Sequence, residues 1–217
     1  MIQGAVFDME GLMFDTEKLV FENWKEITAR LGYDFTLDIF KKTIGKRRIE
    51  TEKLLKGIYG EDFPYLDIAE MCHVLFVDKT DRNGIPVKKG LKSLLEHFKE
   101  TGVKLAVATS TRRGSATRAL EMTGVLPCFD AVVCGEDVKN GKPDPEVFLT
   151  AAGKLGVLPE YCVAFEDSYN GLIAAHRAGM TTVMVPDLLP PTKEIMPYVT
   201  HLCRDLDEAR SVFNSMV

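Results

Sequence analysis

Short apolar runs separated by helix-like segments constrain the fold of this chain more than any other feature. Between most of them, apolar residues recur at helical spacing, as in 91–98 and 148–155, followed by glycines at 102 and 156. The runs themselves lie at 4–7, 103–108, 131–134, 162–165 and 181–185. Strands that alternate with helices form parallel sheets covered on both faces. The pattern therefore predicts an α/β fold with a doubly wound parallel sheet.

The connection after the first apolar run is much longer than a strand-to-strand crossover requires. The second run begins near residue 103, whereas a crossover needs only about a dozen residues. Within the gap, Val20, Trp24 and Ile27 share one helical face. We therefore expect an inserted helical cap domain at residues 15–85 and a core made of residues 1–14 and 86–217.

Polar residues capable of chemistry follow four of the apolar runs. Ligands of open parallel sheets bind at the carboxyl ends of the strands, so these residues should converge. A turn or a helix cap would explain each of them singly, but their joint occurrence in strand order favours one site. The segments are Asp8-Met9-Glu10-Gly11, Thr109-Ser110-Thr111, Lys142-Pro143-Asp144-Pro145 and Glu166-Asp167-Ser168.

The predicted site combines carboxylates with a lysine and a hydroxyl group. Clustered carboxylates repel one another unless they share a cation, and hard oxygen ligands favour Mg²⁺. A cation, a lysine and a hydroxyl group can neutralise and position a phosphoryl group. Asp8 is then suited to attack phosphorus and form an aspartyl phosphate.

These four segments resemble the motifs of haloacid dehalogenase-like phosphatases, over nearly the whole chain. The similarity extends to the branch that contains β-phosphoglucomutase-like proteins and small sugar-phosphate or nucleotide phosphatases, which carry a helical cap after the first motif. The resemblance implies a Rossmann-like fold of the haloacid dehalogenase type. It also implies a Mg²⁺ site formed by Asp8, the backbone carbonyl of Glu10, Glu166 and Asp167.

The same resemblance assigns the catalytic and substrate-binding roles. Asp8 is the expected nucleophile, while Thr109 and Lys142, with Ser110 beside them, are expected to hold the phosphoryl group. Glu10 stands where the family has the aspartate that acts as general acid and base. Its extra methylene moves the carboxylate by about 1.5 Å, so this sequence departs from the family pattern at a mechanistic position.

The cap is expected to select the substrate. Lys46 and Arg48, in the basic segment 43–48, are candidates for binding a second anionic group, although a solvated basic turn is the alternative. Val20 occupies the position where β-phosphoglucomutases carry a histidine. We therefore expect hydrolysis of a small phosphate monoester, a sugar phosphate or nucleoside monophosphate. A phosphosugar mutase is the alternative, and a protein that only binds phosphorylated ligands is a third possibility.

Charge and composition indicate which partners to expect. The formal net charge is -5, without blocks of like charge, so we expect a small phosphorylated metabolite as the partner and no nucleic acid. The first apolar run is broken at Asp8, which argues against a signal peptide or membrane anchor. A cytoplasmic monomer is expected. Five cysteines without CxxC spacing are expected to be reduced packing residues, and the four histidines to be structural.

Overall fold

A six-stranded parallel sheet forms the centre of the protein in the computed structural model, which describes residues 1–213. The strands are β1 Gly4–Phe7, β2 Lys104–Ala108, β3 Ala131–Val133, β4 Cys162–Glu166, β5 Thr181–Met184 and β6 His201–Leu202. Their order across the sheet is β3-β2-β1-β4-β5-β6. The predicted doubly wound parallel sheet is confirmed. The sequence pattern missed β6, because a two-residue strand leaves no recognisable apolar run.

The described residues contain nine α-helices. None of them is long and apolar enough to cross a lipid bilayer. Four lie between β1 and β2, and the other five accompany the sheet. They are α1 Glu17–Arg30, α2 Leu37–Lys41, α3 Arg48–Tyr59, α4 Tyr65–Asn83, α5 Leu91–Glu100, α6 Arg113–Met122, α7 Glu146–Leu155, α8 Tyr169–Arg177 and α9 Leu206–Phe213.

The central strand β1 is fully buried between β2 and β4. On one face of the sheet, Phe7 stacks on Phe165 with ring centroids 4.7 Å apart, and Phe98 of α5 packs against both. On the other face, Val6 belongs to the apolar cluster that includes Phe148 of α7. Packing on both faces of the sheet fixes the end of β1, and Asp8 directly follows it.

Helices α1 to α4 have an apolar cluster of their own, to which Leu189 of the core also contributes. Trp24 is part of this cluster and stacks on Phe35 with centroids 5.4 Å apart. The two connections to the sheet run side by side, since Asp15 N–H donates to the Pro86 carbonyl at 2.9 Å. We propose on this basis that residues 15–85 form the cap domain.

The five cysteines are free thiols, and all except Cys128 are buried. Burial raises the pKa of the Cys162 and Cys203 thiols to about 11. Neutral, buried thiols of this kind act as small apolar side chains.

Candidate active site

Asp8 and Lys142 form the centre of the site. Asp8 directly follows β1, and its N–H donates to the Phe165 carbonyl of β4 at 3.0 Å. The Lys142 ammonium lies 2.5 Å from Asp8 Oδ1 and 2.5 Å from Glu166 Oε1, and it donates to the Ala108 carbonyl at 3.0 Å. Lys142 is only 3% exposed. A buried ammonium needs such carboxylate partners, and these hold its pKa above its ordinary value despite burial.

Asp8, Glu166 and Asp167 bring one carboxylate oxygen each to within 4.8 Å of one another. Both oxygens of Asp167 are buried and have no hydrogen-bond partner among the described residues. Burial, followed by the charges of Asp8 and Glu166, raises the pKa of Asp167 well above its ordinary value. Oxygen ligands without protein partners are what a hard cation requires, so these residues fit the expected Mg²⁺.

Two glycines leave the space that these carboxylates occupy. Gly11 has φ +79°, and a Cβ atom there would lie 2.4 Å from Asp167 Oδ2. A Cβ on Gly171 would lie 1.9 Å from Glu166 Oε1. Ser168 caps α8, as its position predicts, and its hydroxyl also donates to Glu166 Oε2 at 2.9 Å. These contacts hold the Glu166 carboxylate in place. Burial and the charge of Asp8 raise the pKa of Glu166 to about 7.

The carboxyl group of Glu10 lies apart from this cluster of three carboxylates. Its Oε2 accepts a hydrogen bond from the Thr16 hydroxyl at 2.5 Å, and its Oε1 accepts a weak one from Thr111 at 3.5 Å. Burial raises the pKa of Glu10, the Thr16 hydrogen bond opposes this effect, and the charge of Asp8 adds to it. A raised pKa favours the protonated form, which a general acid needs. The structure thus brings together the carboxylates of Asp8, Glu166 and Asp167 as candidate metal ligands, while Glu10 is expected to contribute only its backbone carbonyl.

Thr109 and Ser110 follow β2 and face the cavity between the core and residues 15–85. Thr109 is 1% exposed, and its hydroxyl accepts a hydrogen bond from Thr111 N–H at 3.1 Å. Ser110 donates to the Gly45 carbonyl at 3.3 Å. The Thr109 hydroxyl is therefore held in place as a candidate phosphoryl-binding group, whereas Ser110 also links the core to the cap.

A cavity of about 670 Å³ lies over the site. Asp8, Glu10 and Asp167 line its floor, and Lys46, Arg48 and Val20 line it from the cap side. The Arg48 Nε atom is buried and has no hydrogen-bond partner within residues 1–213. An unpaired guanidinium nitrogen at a cavity wall fits the expected role of Arg48 in binding an anion.

Three residues that the sequence analysis did not select also line the cavity: Glu17, Asn23 and His73. His73, one of the four histidines expected to be structural, is exposed and lies at the cavity wall. Glu17 is 8% exposed, and burial, together with the charges of Glu10, Asp187 and Asp8, raises its pKa to about 8. Glu17 lies one helical turn before Val20, so the face predicted for α1 could have revealed it.

A comparison with known families identifies the class of protein to which this fold and acidic site belong. The family model for haloacid dehalogenase-like hydrolases matches residues 5–185, and the chain belongs to this family. The expected resemblance to haloacid dehalogenase-like proteins and the expectation that the chain is an enzyme are therefore confirmed.

Individual relatives fall in the expected branch. A phosphorylated carbohydrates phosphatase of Thermotoga maritima is 34% identical over 84% of this chain and 84% of its own. A β-phosphoglucomutase of Bacillus subtilis is 30% identical over 85% of this chain and 83% of its own. The crystal structure of CbbY from Rhodobacter sphaeroides in complex with phosphate is 27% identical, covers 96% of each chain and superposes with a TM-score of 0.82.

Proposed function

We propose that the protein is a magnesium-dependent phosphatase that hydrolyses a small phosphate monoester through an aspartyl phosphate on Asp8. The observation that carries this proposal is the arrangement at the end of β1. Asp8 lines the cavity and accepts a hydrogen bond from the buried Lys142. It lies beside Asp167, whose two carboxylate oxygens have no hydrogen-bond partner among the described residues. The Thermotoga maritima relative is a phosphatase of phosphorylated carbohydrates, which supports the reaction class.

The reaction proceeds in two steps on the residues of the cavity floor. Asp8 attacks phosphorus, and Glu10 in its protonated form gives its proton to the departing alkoxide oxygen. Glu10, now ionised, removes a proton from the water that attacks the aspartyl phosphate, which releases inorganic phosphate and regenerates Asp8. Thr109 donates a hydrogen bond to the phosphoryl oxygens, and Lys142 compensates the charge around Asp8.

Magnesium would be held by Asp8, Glu166, Asp167 and the backbone carbonyl of residue 10. When bound, it supplies positive charge that offsets the negative charge of the phosphoryl oxygens. The unpartnered oxygens of Asp167 support this assignment.

The substrate we propose is a sugar phosphate or a nucleoside monophosphate. Lys46 and Arg48 supply positive charge at the cavity wall, and Glu17 and Asn23 supply polar groups along α1. These polar groups suit a hydroxylated leaving group, because buried polar groups need partners.

A phosphosugar mutase is the second candidate, since a Bacillus subtilis relative is a β-phosphoglucomutase. Val20 lines the cavity and can neither donate nor accept a proton, which favours hydrolysis. A protein that only binds phosphorylated ligands is a third candidate, which Glu10 suggests and which the presence of Asp8, Thr109, Lys142 and Asp167 disfavours.

Three measurements test these candidates. Asp8→Asn should abolish phosphate release from p-nitrophenyl phosphate and from a panel of phosphorylated metabolites in the presence of Mg²⁺, whereas the exposed Asp62→Asn should not. Unchanged turnover in Asp8→Asn would overturn the mechanism. Incubation with β-glucose 1-phosphate and a bisphosphate primer should yield at most free phosphate. Efficient formation of glucose 6-phosphate would instead establish the mutase.

A further inference from the structure

The cap segment at residues 43–48 carries three consecutive cations, and only two of them line the cavity. Lys46 and Arg48 line it, whereas Arg47 does not. Arg47 points towards the core instead, where its Nη1 donates to the Lys139 carbonyl at 2.8 Å. This hydrogen bond joins residues 92 positions apart in the sequence, across the boundary between cap and core.

The guanidinium of Arg47 is held in this orientation by Glu50. Nε and Nη2 donate to Glu50 Oε1 at 3.0 Å and 2.8 Å, and the Arg47 backbone N–H donates to Glu50 Oε2 at 2.8 Å. The backbone bond is the half of a capping box that a glutamate at this position supplies, whereas the Arg47 side chain has only donors and does not cap the helix. A forked side chain with several fixed donors is well suited to join two segments at once.

The core leaves space for Arg47 next to Lys142. A Cβ atom on Gly141 would lie 2.4 Å from Arg47 Nε and 2.7 Å from its Cδ. Gly141 does not have a positive φ, so its backbone conformation is open to alanine. The side chain of Arg47 thus packs directly on the residue before Lys142.

Two neighbouring contacts place the same cap segment on other parts of the site. Ser110 donates to the Gly45 carbonyl at 3.3 Å, and a Cβ on Gly45 would lie 2.7 Å from Ser168 Oγ. The segment therefore rests on the core loops that carry Thr109, Lys142 and Asp167.

We propose that Arg47 is a positioning residue that fixes the start of α3 on the loop of Lys142, and thereby places Arg48 in the cavity relative to the reacting groups. The part concerning Arg48 rests on the proposed function. Arg48 directly follows Arg47 and its Nε has no partner of its own within the described residues, so its position depends on where α3 begins. Loss of a hydrogen bond to a charged group at such a junction lowers the equilibrium constant for the docked arrangement by about ten- to a hundredfold.

Hydrogen exchange measured by mass spectrometry tests the docking without any substrate. Arg47→Ala should speed exchange in residues 43–50 and 137–142 by about ten- to a hundredfold, because these segments separate more often. Arg47→Lys should show a smaller effect, since lysine reaches the carbonyl without the fork. Arg82→Ala removes an exposed arginine whose ion pair among residues 1–213 is with Asp78 of the same helix, and it should leave both segments unchanged. Unchanged exchange in Arg47→Ala would overturn the proposal.

A double-mutant cycle of Arg47→Ala and Gly141→Ala shows whether a change at Gly141 acts by displacing Arg47 or by disturbing Lys142. Gly141→Ala should reproduce the exchange of Arg47→Ala, because the new methyl group displaces the flexible arginine. In the Arg47→Ala background, Gly141→Ala should raise the exchange rate by less than about a further twofold, since the space next to residue 141 is then empty. A full additional effect in the double variant would show that the methyl group acts on Lys142 directly, and would count against the proposal.

Kinetics test the coupling to Arg48. Arg47→Ala and Arg48→Ala should each lower kcat/KM for a sugar phosphate, and the double variant should be no worse than Arg48→Ala by more than about twofold. Additive losses would overturn the positioning role. If Arg48→Ala alone has no effect, the proposed substrate contact fails, and the exchange results still decide whether Arg47 docks the cap.

Discussion

The Thr16 hydroxyl lies 2.5 Å from Glu10 Oε2, so the residue that precedes the first cap helix holds the carboxyl group two residues after Asp8. Thr16 is 1% exposed, and its hydrogen bond stabilises the ionised form of Glu10 against the effect of burial. One hydroxyl group therefore influences both the position and the protonation of the proposed general acid.

Thr16→Val should raise the pKa of Glu10 further, because it removes the strongest interaction that lowers this pKa while burial remains. The phosphorylation step needs protonated Glu10, so kcat/KM falls as the pH rises through this pKa. The alkaline limb of the pH profile should therefore move to higher pH. The plateau should fall by about ten- to a hundredfold, because the carboxyl group loses its anchor.

The matched control for this experiment is Thr28→Val. Thr28 is also fully buried on the cap, but its hydroxyl donates to the Trp24 carbonyl at 2.7 Å, away from Glu10. Thr28→Val should lower stability without moving the pH profile. A profile of Thr16→Val that coincides with the wild type would contradict the assignment of Glu10 as the general acid.

Gly11 and Gly32 allow backbone strain to be separated from damage to the proposed metal site. Their φ angles are +79° and +82°, but a Cβ on Gly32 meets no atom of the described residues within 4 Å, whereas one on Gly11 would lie 2.4 Å from Asp167 Oδ2. Gly32→Ala should cost about 1–2 kcal/mol of unfolding free energy. Gly11→Ala should cost more and should also weaken Mg²⁺ binding by at least about tenfold, as measured by calorimetric titration. Equal Mg²⁺ affinity in the two variants would exclude Asp167 as a ligand.

Glu17 should make the stability of the metal-free protein depend on pH. Burial raises its pKa in the folded state to about 8, from an ordinary value of 4.5. Between these two values the unfolded chain has released the proton while the folded protein keeps it, so stability is lost as the pH rises. The loss is about 1.4 kcal/mol per pH unit for one proton and ends above about pH 8.

Glu17→Gln should therefore show a shallower decline in unfolding free energy with pH, measured by urea denaturation in EDTA. Its stability relative to the wild type should grow with pH and level off above about pH 8. Glu22→Gln, on the exposed side of the same helix, should run parallel to the wild type. Parallel curves for Glu17→Gln would show that Glu17 does not carry a buried proton.

The sequence predicts the parts of this site that depend on strand order. Each catalytic segment comes after an apolar run in the sequence, as Asp8, Lys142 and Asp167 do. A parallel sheet brings the ends of such runs together at one edge. Glu17 escaped notice because an acidic residue in the first turn of a helix is ordinarily explained by the helix dipole. Its place one helical turn before Val20 was the available signal, whereas its burial near other carboxylates is seen only in the structure.

Contacts between the cap and the core lie beyond such reasoning. The hydrogen bond from Arg47 to the Lys139 carbonyl joins two loops, and its acceptor is a backbone atom that any residue would supply. No periodicity or spacing encodes such a contact. The basic segment 43–48 indicated Lys46 and Arg48 as candidates, but only the structure separates Arg47 from its two neighbours.

Glu10→Asp is the variant on which sequence and structure give opposite expectations. Judged against the family pattern, Glu10 is one methylene too long, and shortening it should raise turnover of alkyl phosphates. In the structure, however, Glu10 reaches Thr16 at 2.5 Å, and an aspartate would draw the carboxyl group back by about 1.5 Å. The hydrogen bonds from Thr16 and Thr111 would then both be lost.

We therefore expect Glu10→Asp to lower kcat/KM for a sugar phosphate by about ten- to a hundredfold, because the proton donor is displaced from its anchor. The loss should be smaller for p-nitrophenyl phosphate, whose leaving group departs without a proton. Glu10→Gln serves as the control, since it keeps the length of the side chain and removes the proton, and should lose at least as much on the sugar phosphate. An increase in activity of Glu10→Asp would show that the threonine anchor holds Glu10 away from the leaving oxygen, and that the family's shorter side chain is the better acid at this position.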